Sequence, residues 1–332
     1  MEVAVYGAGV AAASCARLLA ARGIGVIAER PERVTVPVIM VSARTQQLLR
    51  DVFHREDLFQ GLPRVNARVV AWGECSQPRR FEHSAIVVSE RELLERLDWG
   101  GPRKDQIPGH TPSWTVFASR PLPESTAVKH FGARVASVFA VDLAEISEPC
   151  TCWIESLACG WLFLLPGPRG TGWLLAVGAE AGSLLSNSRL IARQIQSVNC
   201  PAGEFPAYPA MSVPLCGPQW LACGSAALAF DPMCGDGAGN AIREAILAVA
   251  VIRAAERGCR EEQLLDHYRT RLVAGFSRHL QLCHQFYSAG RGGPWWDAEL
   301  ELLRDAIEYC RREMDNAAPP RFRLQQFDLA AL

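Results

Sequence analysis

Residues 2–29, EVAVYGAGVAAASCARLLAARGIGVIAE, set the reading of the whole chain. Glu2 to Tyr6 reads as a buried strand, Ala13 to Arg22 as an alanine-rich helix closed by Gly23, and Ile24 to Ala28 as a second strand ending at Glu29. Between strand and helix lies Gly7-Ala8-Gly9-Val10-Ala11-Ala12, a G-x-G-x-x-A turn. Gly7 makes the tight turn, Gly9 lets bare backbone approach a pyrophosphate, and Ala12 lets helix and strand pack closely. Glu29, twenty residues after Gly9, can accept hydrogen bonds from a ribose, and its charge repels a 2'-phosphate. A G-x-G-x-x-G alone is a weak signal. Strand, turn, helix, strand and acid in that order predict a dinucleotide site.

A second stretch, residues 220–247, reads WLACGSAALAFDPMCGDGAGNAIREAIL. A short strand, Leu221 to Cys223, runs into Gly224 and Ser225. Asp231-Pro232 then forces a turn, and Gly235, Gly237 and Gly239 leave a loop nearly without side chains before a helix predicted to start near Asn240. Bare backbone meets a helix N-terminus there, offering free N–H groups and partial positive charge to an electron-rich or anionic ligand. Read by itself, the stretch also fits a glycine-rich surface turn.

Together the two stretches resemble those of the FAD-dependent aromatic hydroxylases of the p-hydroxybenzoate-hydroxylase type and, more closely, of the tryptophan-halogenase-like flavoproteins. The resemblance implies that the ADP half of FAD lies on Gly7, Gly9, Ala12 and Glu29, with Arg30 beside them. It places the ribityl chain and isoalloxazine ring along Gly224, Ser225, Asp231, Pro232, Gly235, Gly237, Gly239 and Asn240. Ser225 stands where many members carry Asp. Arg44, on a helix capped by Ser42, matches an arginine facing the flavin side, and also reads as a solvated helix arginine. Arg91, in a helix capped by Ser89, matches an arginine that meets the pyrophosphate, and also reads as one half of an i,i+4 pair with Glu95. Where the family inserts a long segment with a Gly-Ala-Asp-Gly motif, this chain has only Trp99 to Trp114 and then Ala118-Ser119-Arg120. That shortening implies slow direct use of NAD(P)H, or electrons from a separate flavin reductase.

The bulk of the chain bounds the alternatives. With 332 residues, 49% of them hydrophobic and 21% charged, the chain can bury a full core. A net charge of -1 leaves no electrostatic footprint for nucleic acid or an acidic membrane. A strand beginning beside Met1 leaves no room for a leader, and no run of ~18 apolar residues occurs, so a cytoplasmic protein without a membrane span is expected. None of the twelve cysteines forms C-x-x-C or shows metal spacing, so no metal site is expected.

Arg134 to Leu143, Thr151 to Leu157, Trp161 to Pro166 and Gly172 to Gly178 predict an antiparallel meander. Trp161, Phe163 and Leu165 share one face by period two, suiting either a substrate pocket roofing the flavin or core against a helix layer. Ser186 to Ser197 is expected as a helix, Glu261 to Leu282 and Trp296 to Met314 as long helices, and Arg321 to Leu332 as a loose tail. His279, Cys283 and His284, on or just past the first long helix, fit either a site or, as the favoured reading, a packed helix with its histidines exposed. The expected fold class is α/β. A Rossmann-like FAD-binding domain (1–120 and 210–258) carries an inserted antiparallel β-sheet substrate domain (121–209) and a C-terminal helical segment (259–332).

Three functions compete: an FAD enzyme hydroxylating an aromatic substrate, indole-like or peptidyl, through a flavin hydroperoxide; an FAD halogenase; and a lapsed flavoprotein acting as a partner or maturation accessory. The resembled halogenases use a lysine between the first FAD motif and the substrate sheet. None occurs between Gly23 and Gly101, and Lys104 and Lys129 lie outside any matching context. Hydroxylation is therefore expected, with Asp236 and Glu155 the candidate bases.

Overall fold

The computed structural model describes residues 1–73, 77–98, 112–234 and 236–332. Its α-helices are α1 (Val10–Ala20), α2 (Ala43–Phe53), α3 (Glu90–Leu97), α4 (Ala181–Asn187), α5 (Gly237–Glu256), α6 (Glu261–Ser288) and α7 (Pro294–Asp315). Ser42 and Ser89 cap α2 and α3 as expected, each hydroxyl accepting an amide three residues on.

A five-stranded sheet runs in the order Cys216–Gly217, Trp220–Ala222, Trp114–Phe117, Glu2–Tyr6, Gly25–Glu29. Glu2–Tyr6 is parallel to both neighbours, and Trp114–Phe117 is parallel to Trp220–Ala222. Tyr6 is level with Glu29 and Phe117, and Phe117 with Ala222. The four parallel strands thus end together, bringing the Gly7–Gly9 turn and Gly224, far apart in sequence, to one edge. Backbone bonds stitch that edge: the Gly7 amide donates to Glu29 O (2.8 Å), Ala118 to Tyr6 O (2.7 Å) and Cys223 to Phe117 O (2.8 Å).

An eight-stranded sheet has the order Ile195–Pro206, Val135–Leu143, Thr171–Gly178, Gly160–Pro166, Thr151–Leu157, Arg64–Ala71, Arg79–Val88, Ile39–Ser42. The expected meander is present, with every pairing antiparallel except that of Arg64–Ala71 with Thr151–Leu157. Across that parallel seam three strands from residues 39–88 join, so the sheet is not confined to residues 121–209. Gly160–Pro166 is buried on both faces. Trp161, Phe163 and Leu165 enter the main core, while Leu162 and Leu164 pack with Trp153, Leu174, Leu184 and Ile191 in a smaller one.

Two sequence expectations fail here. No helix spans Ser186 to Ser197: α4 ends at Asn187, whose side chain bonds back to Ser183 O, and Ile195–Pro206 is the edge strand. The tail is not loose, because Phe322–Gln325 and Asp328–Ala331 form a hairpin. Phe322 and Leu329 are buried, and Asp328 pairs with Arg253 of α5 (2.5 Å) and with Arg257 just past its end (3.2 Å).

Two buried polar braces hold the edge in place. Arg134 forms ion pairs with Asp231 and Glu299, and Tyr287 donates to the same Asp231 oxygen (2.9 Å), tying a sheet strand, the 231 loop, α6 and α7 together. Glu244 of α5 accepts the Gly224 amide (2.6 Å), and Tyr268 of α6 donates to Ala222 O (2.6 Å). Burial pushes the Glu244 carboxyl up to about 8, against the opposing bond from Gly224.

Arg134→Ala strands two buried carboxylates and is expected to cost about 3–5 kcal/mol in urea denaturation, with Glu299→Gln costing less. The folded chain keeps a proton on Glu244 that the unfolded chain loses near 4.5. Stability is therefore expected to fall as pH climbs from about 4.5 to about 8, by roughly 1.4 kcal/mol per pH unit from this group. Thermal midpoints measured across that window should show a flatter profile for Glu244→Gln, which keeps an acceptor for Gly224. An unchanged slope would place the pH dependence elsewhere.

Candidate active site

The first glycine loop is shaped for close approach. Gly7 adopts φ +142°, and a Cβ there would lie 2.9 Å from Ser119 Oγ. Gly9 is the N-cap of α1, with no side-chain cap and no acid in the first turn, so the helix presents bare amides. Ala12 is fully buried. A Cβ on Gly9 would lie 3.1 Å from the Arg33 guanidinium, which is ion-paired with Glu90, whose other oxygen accepts the Val36 amide (2.9 Å). Arg33 was not among the expected site residues. Its only sequence signal was the charged run Glu29-Arg30-Pro31-Glu32-Arg33. Glu29 and Arg30 are half-buried at the strand end, while Arg44 and Arg91 are exposed on α2 and α3. Basic groups and a bare helix N-terminus fit a pyrophosphate.

The second loop starts α5 at Gly237, three residues earlier than the expected Asn240. Asp236 occupies the N-cap without capping by its side chain. Its Oδ1 accepts from Thr45 Oγ1 (2.6 Å) and its Oδ2 pairs with Arg243 (2.5 Å), which also donates to Asn240 Oδ1 (2.7 Å). A Cβ on Gly239 would come within 2.5 Å of Thr45 Oγ1, so the Thr45–Asp236 bond requires glycine there. Around Gly237 nothing lies within 4 Å of a Cβ, leaving the approach open. Ser225 is exposed, its hydroxyl 3.4 Å from Ala118 O. Asp231 lines the cavity beside this loop, while its carboxylate turns inward, to Arg134, Tyr287 and the Met233 amide. Gly235 lies outside the described residues.

Between this loop and the eight-stranded sheet lies a cavity of about 220 Å³. Pro232, Asp236, Gly237 and Asn240 wall it on one side and Phe163, Trp173 and Phe205 on the other. Trp161, expected in the pocket, does not line it: the ring is fully buried and donates to Tyr287 OH (3.3 Å). Glu155 is also elsewhere. It is buried, and its oxygens accept Ser188 Oγ (2.5 Å) and the amides of Arg189, Leu190 and Ile191, anchoring the loop after α4. His279, expected on the surface, is buried and lines the cavity. Apolar periodicity along α6 ranked it as polar and outward, and only the packing of α6 against Phe230 reveals it. A second cavity, of about 330 Å³ between α6 and residues 318–321, shares no wall with this one. Among the described residues no cluster of His, Cys, Asp or Glu suits a metal, and no helix is long and apolar enough to cross a membrane.

No protein-family model matches the chain. Over 71 residues it is 35% identical to a tRNA dimethylallyltransferase of Methylacidiphilum infernorum, a match covering 21% of each protein. The chain thus spans about a fifth of that relative's length. Solved structures match far more of it. The peptidyl tryptophan dihydroxylase QhpG, essential for tryptophylquinone cofactor biogenesis, superposes with a TM-score of 0.71 at 19% identity, over 99% of this chain and 86% of that one. The flavin-dependent halogenase CmlS gives 0.76 at 16% identity, over 99% and 74%. The myxobacterial chondrochloren halogenase CndH, an FAD-dependent variant, gives 0.74 at 15%, over 95% and 90%. The chain has the mixed α/β fold that these flavin-dependent halogenases share with the peptidyl tryptophan dihydroxylase.

Proposed function

We propose that the protein is an FAD-dependent oxidoreductase that hydroxylates an aromatic ring, free or carried on a peptide. One observation carries the proposal: the cavity is walled jointly by the bare start of α5 and by the aromatic face of the eight-stranded sheet. Gly7, Gly9, Ala12, Glu29, Arg30, Arg44 and Arg91, with Arg33 added, would hold the ADP half of FAD. Gly224, Ser225, Pro232, Gly237, Gly239 and Asn240 would follow the rest of the cofactor. When reduced by NAD(P)H or by a separate reductase, bound flavin supplies the electrons that activate oxygen.

The chain's own residues would do the remaining work. Phe163, Trp173 and Phe205 exclude water and hold the substrate ring by stacking, worth about 0.5–1.5 kcal/mol per pair beyond burial. Of the two candidate bases only Asp236 lines the cavity, and we assign it the proton that the ring loses. Halogenation is disfavoured by lysine placement. Lys129 sits with Nζ 4.3 Å from the Tyr309 ring and does not line the cavity, and Lys104 lies outside the described residues.

Gly9→Asp and Gly237→Trp are each expected to weaken FAD binding at least ~10-fold while circular dichroism stays unchanged, because each fills a place where bare backbone must meet the cofactor. Stoichiometric flavin in both variants would misplace the site. The reaction is tested by supplying reductase, NADH, labelled oxygen and bromide with a panel of aromatic compounds and tryptophan peptides. One labelled oxygen in the product is expected, and Lys129→Met should turn over like the parent. Bromide incorporation would favour a halogenase instead, and peroxide without product would favour a non-catalytic partner role.

A further inference from the structure

We infer that His279 is a specificity-determining residue of this cavity, a hydrogen-bond donor locked in one tautomer that selects aromatic rings bearing an oxygen acceptor, such as phenols and aryl ketones, over rings whose only polar atom is an N–H. The inference rests on the flavin reading for the chemistry performed on the ring, though not for the binding itself.

His279 stands on α6 with 8% of its surface exposed. Its Nε2 accepts the backbone amide of Asp231 at 3.0 Å. An amide can only donate, so Nε2 presents its lone pair and the proton of the neutral ring sits on Nδ1. Moving that proton to Nε2 would set one N–H against another. Cys283 Sγ, 3.3 Å from the same nitrogen, crowds it further. The Phe230 ring meets the imidazole edge-on at 4.9 Å and fixes its plane.

The Asp231 amide is itself immobile, because its carboxylate is bound by Arg134 and Tyr287. A buried ion cluster therefore fixes the histidine's tautomer at one remove. Nδ1–H has no hydrogen-bond partner among the described residues, and the ring lines the cavity among Phe163, Leu165 and Trp173. Nδ1 is not sealed from solvent, so water accepts its proton in the free cavity, and a ligand that displaces this water without offering an oxygen leaves the donor unpaired beside Phe163, Leu165 and Trp173. An indole offers only another donor. A phenol or carbonyl oxygen completes the bond.

Ligand-observed NMR titration of the FAD-supplemented protein with acetophenone, α-methylstyrene, p-cresol and skatole tests this. The parent should bind acetophenone more tightly than α-methylstyrene, which has the same shape without the oxygen. His279→Phe should weaken acetophenone and p-cresol roughly 3–10-fold and leave skatole within about twofold. His279→Gln, which keeps an N–H donor, should recover part of the loss. Equal weakening of all four probes would reduce His279 to packing. A shifted visible spectrum of bound flavin with unchanged probe affinities would mean that the donor faces the cofactor, and either result overturns the inference. The two readings also fail separately. Oxygen selectivity in a chain that holds no flavin would sink the flavin reading alone, and bound flavin without oxygen selectivity would sink only this one.

Discussion

The ion pair between Arg134 and Asp231 is the constraint on which the candidate site depends. Taking a guanidinium and two carboxylates out of water is expensive, and the arrangement holds only because each charge meets another inside the core. Tyr287 adds a hydroxyl to Asp231, and Trp161 passes its indole N–H to Tyr287, so the cluster reaches the centre of the eight-stranded sheet. Arg134, Trp161, Asp231 and the α6–α7 pair that carries Tyr287 and Glu299 come from widely separated parts of the chain. What the cluster fixes is the loop after Phe230, and with that loop the Asp231 amide, the wall at Pro232 and the approach to α5. A change at Arg134 would disturb every one of these at once.

The second requirement is a common strand edge. Parallel pairing forces Tyr6, Glu29, Phe117 and Ala222 level, so the Gly7–Gly9 turn and Gly224 lie together at one edge. Two packed helices begin here with N-termini free of side-chain caps, α1 after Gly9 and α5 after Asp236. Polar groups hold this backbone from behind: Glu244 takes the Gly224 amide and Tyr268 takes the Ala222 carbonyl. Burial outweighs the Gly224 amide and the Arg243 charge at Glu244, so the carboxyl is held up towards its neutral form. The site is thus assembled by backbone geometry and supported by side chains that never reach it.

Local physics accounts for what could be read without a structure. A G-x-G-x-x-A turn between an apolar strand and an alanine-rich helix can do little else, because glycine dihedrals, helix propensity and strand alternation all act within a few residues. The caps at Ser42 and Ser89, the meander from Arg134 to Gly178 and the shared face of Trp161, Phe163 and Leu165 follow from the same short-range rules. The sequence by itself determined the first strand–helix–strand unit, the meander, the glycine loops and the family likeness. Which side chains face the cavity was decided only by tertiary packing. Period two places Trp161 and Phe163 on one face equally, yet the helices seal the first into the core and leave the second at the cavity. Glu155 looks like any strand carboxylate until the loop after α4 folds its amides onto it, and His279 looks solvated until Phe230 and the Asp231 amide close over it. Contacts of that kind join residues tens to hundreds of positions apart, and no periodicity records them.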